Sequence, residues 1–548
     1  MNVVTPTIIS GGSAMDKSFE IESIDIVKEV NRIPYATLVL LDGDAAQQKF
    51  AISDNSFFEP GKKVEIKLRY EAGTEKEMTV FSGLIVKHGV QASARGWLLT
   101  IELKDAALRL SRSRHNMIYK QKTDSAIISD LISKSGLKKG TLSATETSHA
   151  EIVQYGSTDW DFMQTRAEAC GLLLMSDDGI VSLNKIEVKG KPKHVFELGI
   201  SEIYEFEIEV DANHQFAEIE SIAWDLKTQK LTKASKAKPF TLGQGDLPVS
   251  NVAKALGASL QTLSSPVPTD PKALQAWADG NMAKSRMGLI RGFVSIPGLG
   301  DIKRLDVMEI AGVGKRFNGK TLVTGVRHQV DHQGWRTDVQ FGLAPERFST
   351  RPDVSDAPAA GLLPAIHGLQ CGVVAAFKQD PENEFRVGVV LPALGEAAGP
   401  VWARLATPDA GKERGFFFRP EVGDEVVVGF FNDDPAQPVI LGGMFGSKNT
   451  PPPPFASLSD KNLNKGIVTK SGTTIRFVDD KKPAVSIETP GKNKIVLDDQ
   501  GEMISLADQH GNIIKMSKAG IEITSIKDFK IDASSGKVEI LGSKVDVK

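Results

Sequence analysis

The sequence predicts a mainly β protein with some α: a mixed α+β N-terminal part containing β-barrel domains, a small barrel of OB type, and a C-terminal intertwined β-helical fibre. Three observations predict it. Short alternating runs punctuated by Pro, Gly and Asp fill most of the 548 residues, helical patterns are confined to three stretches, and the last 76 residues repeat a turn and an apolar pair about every ten positions. A chain of this length exceeds one ordinary hydrophobic core, so roughly three to five domains are expected.

From the N-terminus, FEIESIDIV, ATLVLL, KKVEIKL and WLLTIELKD alternate apolar and polar residues, which is strand grammar, and they define a first barrel domain over 1–120. A mixed α/β insert follows over 121–287. Its helices are expected at 123–135 and 157–174, each opening on a Ser/Thr–Asp capping signal, and at 271–287. Strand patterns resume over 288–347 as a second barrel, and a Pro/Ala/Asp-rich linker occupies 348–366. Residues 367–446 contain five short strands, CGVVAAF, FRVGVVL, VWARLAT, DEVVVGFF and PVILGGMF, a set that suits an OB barrel. The stretch 447–471 includes NTPPPPF and reads as a stiff proline-rich spacer.

The tail, 472–548, carries apolar pairs at Ile475/Phe477, Val485/Ile487, Ile495/Leu497, Ile504/Leu506, Ile514/Met516, Ile521/Ile523, Phe529/Ile531, Val538/Ile540 and Val545/Val547, which implies nine short strands. Over 473–548 there are 12 Lys/Arg, 12 Asp/Glu and two Phe, with no Trp, Tyr or Cys. A sheet this narrow, at about 1.5–3 kcal/mol per buried aliphatic, does not offset roughly 1–2 kcal/mol of backbone entropy per residue in a single chain. Its edges would also stand open to aggregation. Winding identical chains around one axis pairs the edges and joins the apolar rows, so Ile495, Leu497, Ile504, Leu506, Ile514, Met516, Ile521 and Ile523 are expected in a shared interior. A single-chain solenoid and a meander packed on another domain stay open as alternatives, although the calcium-binding G-G-x-G-x-D repeat is absent and the regular Gly spacing fits a meander poorly.

Composition excludes several functions. The net charge of -3 supplies no field to gather nucleic acid or an anionic membrane. Cys170 and Cys371 form no C-x-x-C pair and are expected free and buried. The start lacks a basic segment followed by an apolar stretch, and no run of 18 apolar residues occurs, so synthesis in the cytoplasm without a signal peptide is expected.

Candidate chemistry is sparse. Residues 314–321, GKRFNGKT, match a phosphate loop, and the competing reading is a phosphate-loop NTPase with a β-rich appendage. Such a loop must open a helix whose amides face the phosphates, whereas TLVTGVRHQV alternates like a strand, and Asn318-Gly319 suits a turn. His328 and His332 lack a third ligand and are expected at a surface or interface. Phe416, Phe417 and Phe418 beside Arg414 and Arg419 suggest an oligonucleotide face, but three consecutive Phe cannot share one side of a strand, which favours packing between barrels. No catalytic residue, metal ligand or cofactor site is expected.

The succession of parts, with EVNRIPYATLVLLDGD, FFEPGKKVEIKL, YGSTDWDFMQTRAEACGLLL and above all RPEVGDEVVVGFFNDDPAQPVILGGMFGSKNTPPP leading into VTKSGTTIRF, resembles the VgrG family and the baseplate hub and spike proteins of contractile phage tails. The resemblance implies a homotrimer: a hub ring that meets inner tube and baseplate proteins, an OB collar, and a triple-stranded β-helical needle that punctures a target membrane and helps deliver toxins. At about 4.8 Å per strand, nine strands would make a rod on the order of 40 Å. Some relatives carry a lysozyme domain or a terminal toxin, for which this chain has no room, so a non-enzymatic spike without a nucleic-acid partner is expected, borne by a type VI secretion system, an extracellular particle or a phage tail. The end, LGSKVDVK, would expose three copies of the last rung. Val538, Ile540, Val545 and Val547 are therefore the expected docking platform for a tip protein of the PAAR-repeat class, which the resemblance supplies.

Overall fold

The computed structural model describes residues 3–44, 46–71, 76–93 and 96–548, and divides into two units, Met1–Ala357 and Pro358–Lys548.

In the first unit the alternating runs form one thirteen-stranded sheet. Strands Val4–Ser10, Ile21–Glu29, Tyr35–Leu41, Lys63–Tyr70, Met78–Ser93 and Gly96–Lys104 turn every second residue inward. Ile24, Ile26, Leu38, Leu40, Val64, Ile66, Leu99 and Ile101 thereby meet around Phe58 and Phe81. A second core gathers Phe196, Ile290, Val294, Met308, Ile310, Val326, Val339 and Phe341. The two cores share the long strand Gly319–Asp331. Its first residues pair with Val307–Ala311, and from Gly325 onward it pairs with Ile21–Glu29 on one side and Gly334–Phe341 on the other. The two cores lie within the two spans expected to form barrels, and this one strand, long enough to serve both, makes the sheet continuous. Strands His194–Glu197 and Glu205–Val210, within the span read as the mixed insert, join the second core through Val307–Ala311 and Ile290–Pro297.

The three expected helices are Asp124–Lys134, Asp159–Ala169 and Pro271–Met287. Thr123 and Thr158 accept from Ala126 N and Asp161 N, and Asp270 accepts from Lys272 N, so each cap satisfies an otherwise orphaned amide. The second helix ends at Ala169, short of the expected 174. Gly171 takes φ +67°, and a Cβ there would lie 2.5 Å from the Cα of Gly280, so the chain must turn where the third helix crosses. Leu172–Asp177 is then a strand. Asp124, buried at the first helix's start, accepts from Arg166 at 2.6 and 3.1 Å and contacts His149 Nε2 at 2.9 Å and Cys170 Sγ at 3.3 Å. Burial and the Asp124 carboxylate push the Cys170 thiol up to about 12. It is a structural thiol.

In the second unit, Gln370–Val374, Val387–Val390, Val401–Leu405, Glu425–Phe430 and Pro438–Gly443 close into a five-stranded barrel around Val374, Val389, Leu391, Ala403, Val426, Val428 and Ile440. Cys371 is exposed on this barrel, not buried, because strand alternation turns it away from that core. Pro453–Ala456 forms one helical turn within the proline-rich spacer. Seven strands then make an antiparallel sheet: Asn464–Val468, Thr474–Val478, Ala484–Glu488, Lys494–Asp498, Met503–Ala507, Ile513–Ser517 and Gly520–Thr524. The sheet starts eight residues before the expected 472. It also stops at Thr524, and the pairs at Phe529/Ile531, Val538/Ile540 and Val545/Val547 form no strand within the single chain. From Lys530 the repeat shortens to seven residues, with Lys530, Lys537 and Lys544 preceding Ile531, Val538 and Val545, which leaves no room for a five-residue strand and its return turn.

Candidate self-association surface

Cross-strand register puts the tail's apolar residues in two continuous rows. Ile467, Ile475, Ile487, Ile495, Leu506, Ile514 and Ile523 are directly paired from strand to strand. Two residues away in each strand, Phe477, Val485, Leu497, Ile504, Met516 and Ile521 make the second row, which begins at Lys465. Both rows lie on one face because side chains at i and i+2 share a side. The opposite face carries Gly466, Arg476, Ser486, Val496, Ser505, Lys515 and Glu522.

The apolar face has no cover in one chain. Ile475 and Val485 are half-buried, and from Ile495 to Ile523 exposure of the two rows runs from 38% at Ile514 to 70% at Ile521. Ile487, Ile495, Leu506, Ile514 and Ile523 line an apolar groove of about 480 Å³ with Phe529 at its margin. A contiguous apolar surface of this size marks an interaction face. Its outer strands, Asn464–Val468 and Gly520–Thr524, each pair on one side only.

The turns fix the register. Asp508 Oδ1 accepts from the amides of His510 and Asn512, each at 2.9 Å, and Oδ2 accepts from Asn512 Nδ2 at 2.6 Å. These bonds, led by the Asn512 side chain, hold its carboxyl below the usual range. Asp498 Oδ1 likewise accepts from Gln500 N and Gly501 N. Positive φ falls on Gly511 and Gly520, but at the other two repeats it falls on Lys492 and Glu502, one residue after the glycine.

All eight residues expected in the interior, Ile495, Leu497, Ile504, Leu506, Ile514, Met516, Ile521 and Ile523, stand on this one face. Val538, Ile540, Val545 and Val547 lie beyond the sheet and are exposed. Around them the ion pairs Lys530–Asp532, Lys537–Glu539 and Lys544–Asp546 recur at the seven-residue interval.

The other motifs resolve as scaffold. Gly314–Thr321 is a turn that runs into the strand Gly319–Asp331; Asn318 Oδ1 accepts from Val313 N, and the Lys320 amide donates to Gly243 O. His328, expected at a surface, is buried at 3% exposure, with Nδ1 3.0 Å from Thr337 Oγ1 and its ring against Trp335. Burial, with Lys28 adding to it, lowers its pKa to about 3. A polar residue on a strand covered from both sides was not legible as buried from its own neighbours in sequence. His332 sits in the following turn. Phe416, Phe417 and Phe418 lie outside any strand, all exposed, with the Arg419 guanidinium 5.1 Å from the Phe417 ring centroid. Among the described residues no group of three His, Cys, Asp or Glu could hold a metal ion, and no helix is long and apolar enough to cross a membrane.

Comparison with known proteins gives three stretches of the chain a counterpart. Residues 1–332 match the Alg8 N-terminal domain, 370–445 the type VI secretion system/phage-baseplate injector OB domain, and 484–548 the phage baseplate V C-terminal trimerisation domain. Among curated relatives, the actin cross-linking toxin VgrG1 of Vibrio cholerae is 41% identical over 124 residues, 21% of this chain and 10% of the toxin. The type VI secretion system spike protein VgrG1a of Pseudomonas aeruginosa is 27% identical over 184 residues, 30% of this chain and 28% of that protein, and VgrG1c of the same organism is 32% identical over 184 residues, covering 25% of its length. The matched segments thus span well under a third of these relatives. The 43 kDa tail protein of prophage MuSo2 from Shewanella oneidensis aligns at TM-score 0.46 and 14% identity, covering 64% of this chain and all of that one. A tail protein from Neisseria meningitidis aligns at 0.45 and 15%, covering 64% and 99%.

An injector OB domain followed by a trimerisation domain defines a structural spike of the phage-baseplate class. The chain belongs to the family of the Alg8 N-terminal domain, which spans more than half its length, and over shorter segments it is similar to VgrG spike proteins.

Proposed function

We propose that three copies of the chain wind their C-terminal sheets around one axis and act as the membrane-puncturing spike of a contractile injection system, helping to deliver effectors or toxins into a target cell. The observation that carries this reading is the pair of apolar rows on one uncovered face, the first crossing all seven strands and the second six. A three-chain prism turns the rows of each copy inward, where they cover one another. The match of 484–548 to a trimerisation domain supports the same assembly. Puncture is mechanical and needs no catalytic group, and the strand after Gly314–Thr321 argues against nucleotide chemistry. The hub meets the inner tube and baseplate, and a PAAR-repeat tip protein docks at Val538–Val547. The seven-residue repeat of 530–546, which forms no strand within one chain, supports an end completed by other chains. The test is purification of contractile particles from the producing cell followed by mass spectrometry. The chain is expected at three copies per particle, and particles that assemble and contract without it would refute the role.

A further inference from the structure

The net charge of -3 conceals an uneven distribution. Residues 226–245 carry five lysines, Lys227, Lys230, Lys233, Lys236 and Lys238, and no Asp or Glu. They follow the strand Glu218–Asp225, which belongs to a four-stranded sheet separate from the thirteen-stranded one. The chain turns after Asp225 and returns as Lys230–Leu231, so that Trp224 pairs with Leu231 and Asp225 with Lys230.

The turn is fixed by its own bonds. Asp225 accepts from the Lys227 amide at 2.9 Å and from Thr228 Oγ1 at 3.0 Å. Thr232 Oγ1 accepts from the Ala223 amide at 3.0 Å, and the Thr232 amide donates to Ala223 O at 2.8 Å. Even so, Leu226 is 68% and Leu231 57% exposed. The parallel strand Leu260–Ser265 runs to the same end, where Ser265 pairs with Ala223. Two residues further on, Val267 stands between Pro266 and Pro268 and is 59% exposed. A bonded turn and a proline-flanked loop thus hold three apolar side chains in water at one end of the sheet.

The lysines at this end are the ones left over. Lys236 pairs with Glu218 at 3.2 Å and Lys238 with Asp279 at 3.5 Å. Lys230 and Lys233 form no ion pair among the described residues, and the carboxylate beside Lys227 is Asp225, already engaged in the turn. Of the other acids on these strands and the following loop, Glu220 accepts from Thr262 Oγ1 and Asp270 from the Lys272 amide. Three lysines against Asp225 leave the turn with a positive surplus.

We infer that this end of the small sheet is a docking surface for an anionic lipid bilayer. Leu226, Leu231 and Val267 enter between the headgroups, and Lys227, Lys230 and Lys233 meet the phosphates. Long lysine stems keep the ammonium groups at headgroup level while shorter apolar side chains go deeper, and apolar burial and charge attraction then add. Protruding apolar tips need a surface that yields around them. Nucleic-acid phosphates offer the leucines nothing to enter, and a folded acidic partner needs a separate hollow for each tip. The surface belongs to the first unit and stands whether or not the tail trimerises.

The test is flotation of the full-length protein with vesicles of phosphatidylcholine alone and of phosphatidylcholine mixed with phosphatidylglycerol, at low and at physiological salt. Binding is expected to the mixed vesicles and to weaken with salt. A lysine near an anionic surface contributes about fivefold in affinity, so Lys227→Gln, Lys230→Gln and Lys233→Gln together should lower binding on the order of 10²-fold. Leu226→Ser with Leu231→Ser should lower it several-fold and leave the salt dependence in place. Circular dichroism on the same samples checks that both variants keep their β signal. Vesicle binding that survives the triple substitution arises elsewhere on the chain, for instance at the uncovered tail sheet, and overturns the inference. Binding indifferent to the leucine pair reduces the effect to counterion attraction and overturns the insertion. A parent protein that ignores both vesicles but retains an acidic protein or DNA through these lysines has a different partner, and the inference is wrong.

Discussion

Replacing Ile514 with Lys separates an interface residue from an ordinary surface residue. In one chain Ile514 is 38% exposed and sits between Leu506 and Ile523 in the first apolar row. Fully burying such a side chain is worth about 1.5–3 kcal/mol, so the part still exposed represents roughly 0.6–1 kcal/mol per chain, or about 2–3 kcal/mol over three chains. The substitution also places three ammonium groups around one narrow axis. Even with partial neutralisation and snorkelling, unpaired buried charge adds several kcal/mol. A total on the order of 5 kcal/mol per trimer weakens association by roughly 10³–10⁴-fold. Within an isolated chain the same change, at a half-open site, costs on the order of 1 kcal/mol or less and leaves the sheet folded. The assay is sedimentation velocity across a dilution series with circular dichroism on the same samples. The variant is expected to dissociate at concentrations where the parent protein is trimeric, with its β signal retained. Lys515→Ala, on the opposite face, should leave the mass unchanged. If Ile514→Lys and Lys515→Ala behave alike, the apolar rows are not the interface and the reasoning fails.

Other outcomes follow from the same structure. Lys320→Ala should change neither assembly nor titration calorimetry with ATP and magnesium, which should show no heat in either protein; micromolar binding abolished by the substitution would restore the NTPase reading. His328 is held neutral to about pH 3, well below its ordinary value of 6.5, so an unfolded chain takes up a proton that the folded chain refuses as pH falls through that window. Stability is therefore lost with acid, by about 2 kcal/mol between pH 7 and 5, and His328→Gln should remove that portion of the slope in urea unfolding followed by tryptophan fluorescence. Deleting 541–548 should abolish co-purification of the tip protein while the hub and sheet remain trimeric; full retention of the cap would place its docking site elsewhere.

Much of this architecture is written locally. The five OB strands alternate cleanly and lie between Gly, Pro and Asp turns, so each is legible alone, and the three helices announce themselves by their caps. The two apolar rows were legible as well, since hairpins of equal strand length carry i, i+2 pairs into register. What escaped depends on partners distant in sequence. Nothing in TLVTGVRHQV reveals that Gly319–Asp331 serves two cores, or that His328 lies against Trp335. The second helix stops for a reason located in the third, at Gly280. The seven-residue repeat at 530–546 was hidden by treating it as more of the ten-residue pattern, although an apolar pair set closer than a hairpin allows cannot extend the same sheet.

The central claim is that one chain cannot bury its own tail. The most direct measurement is the native mass of the purified full-length protein at micromolar and nanomolar concentrations. The account predicts the mass of three 59.2 kDa chains throughout, and a monomer that keeps its full β signal would contradict it.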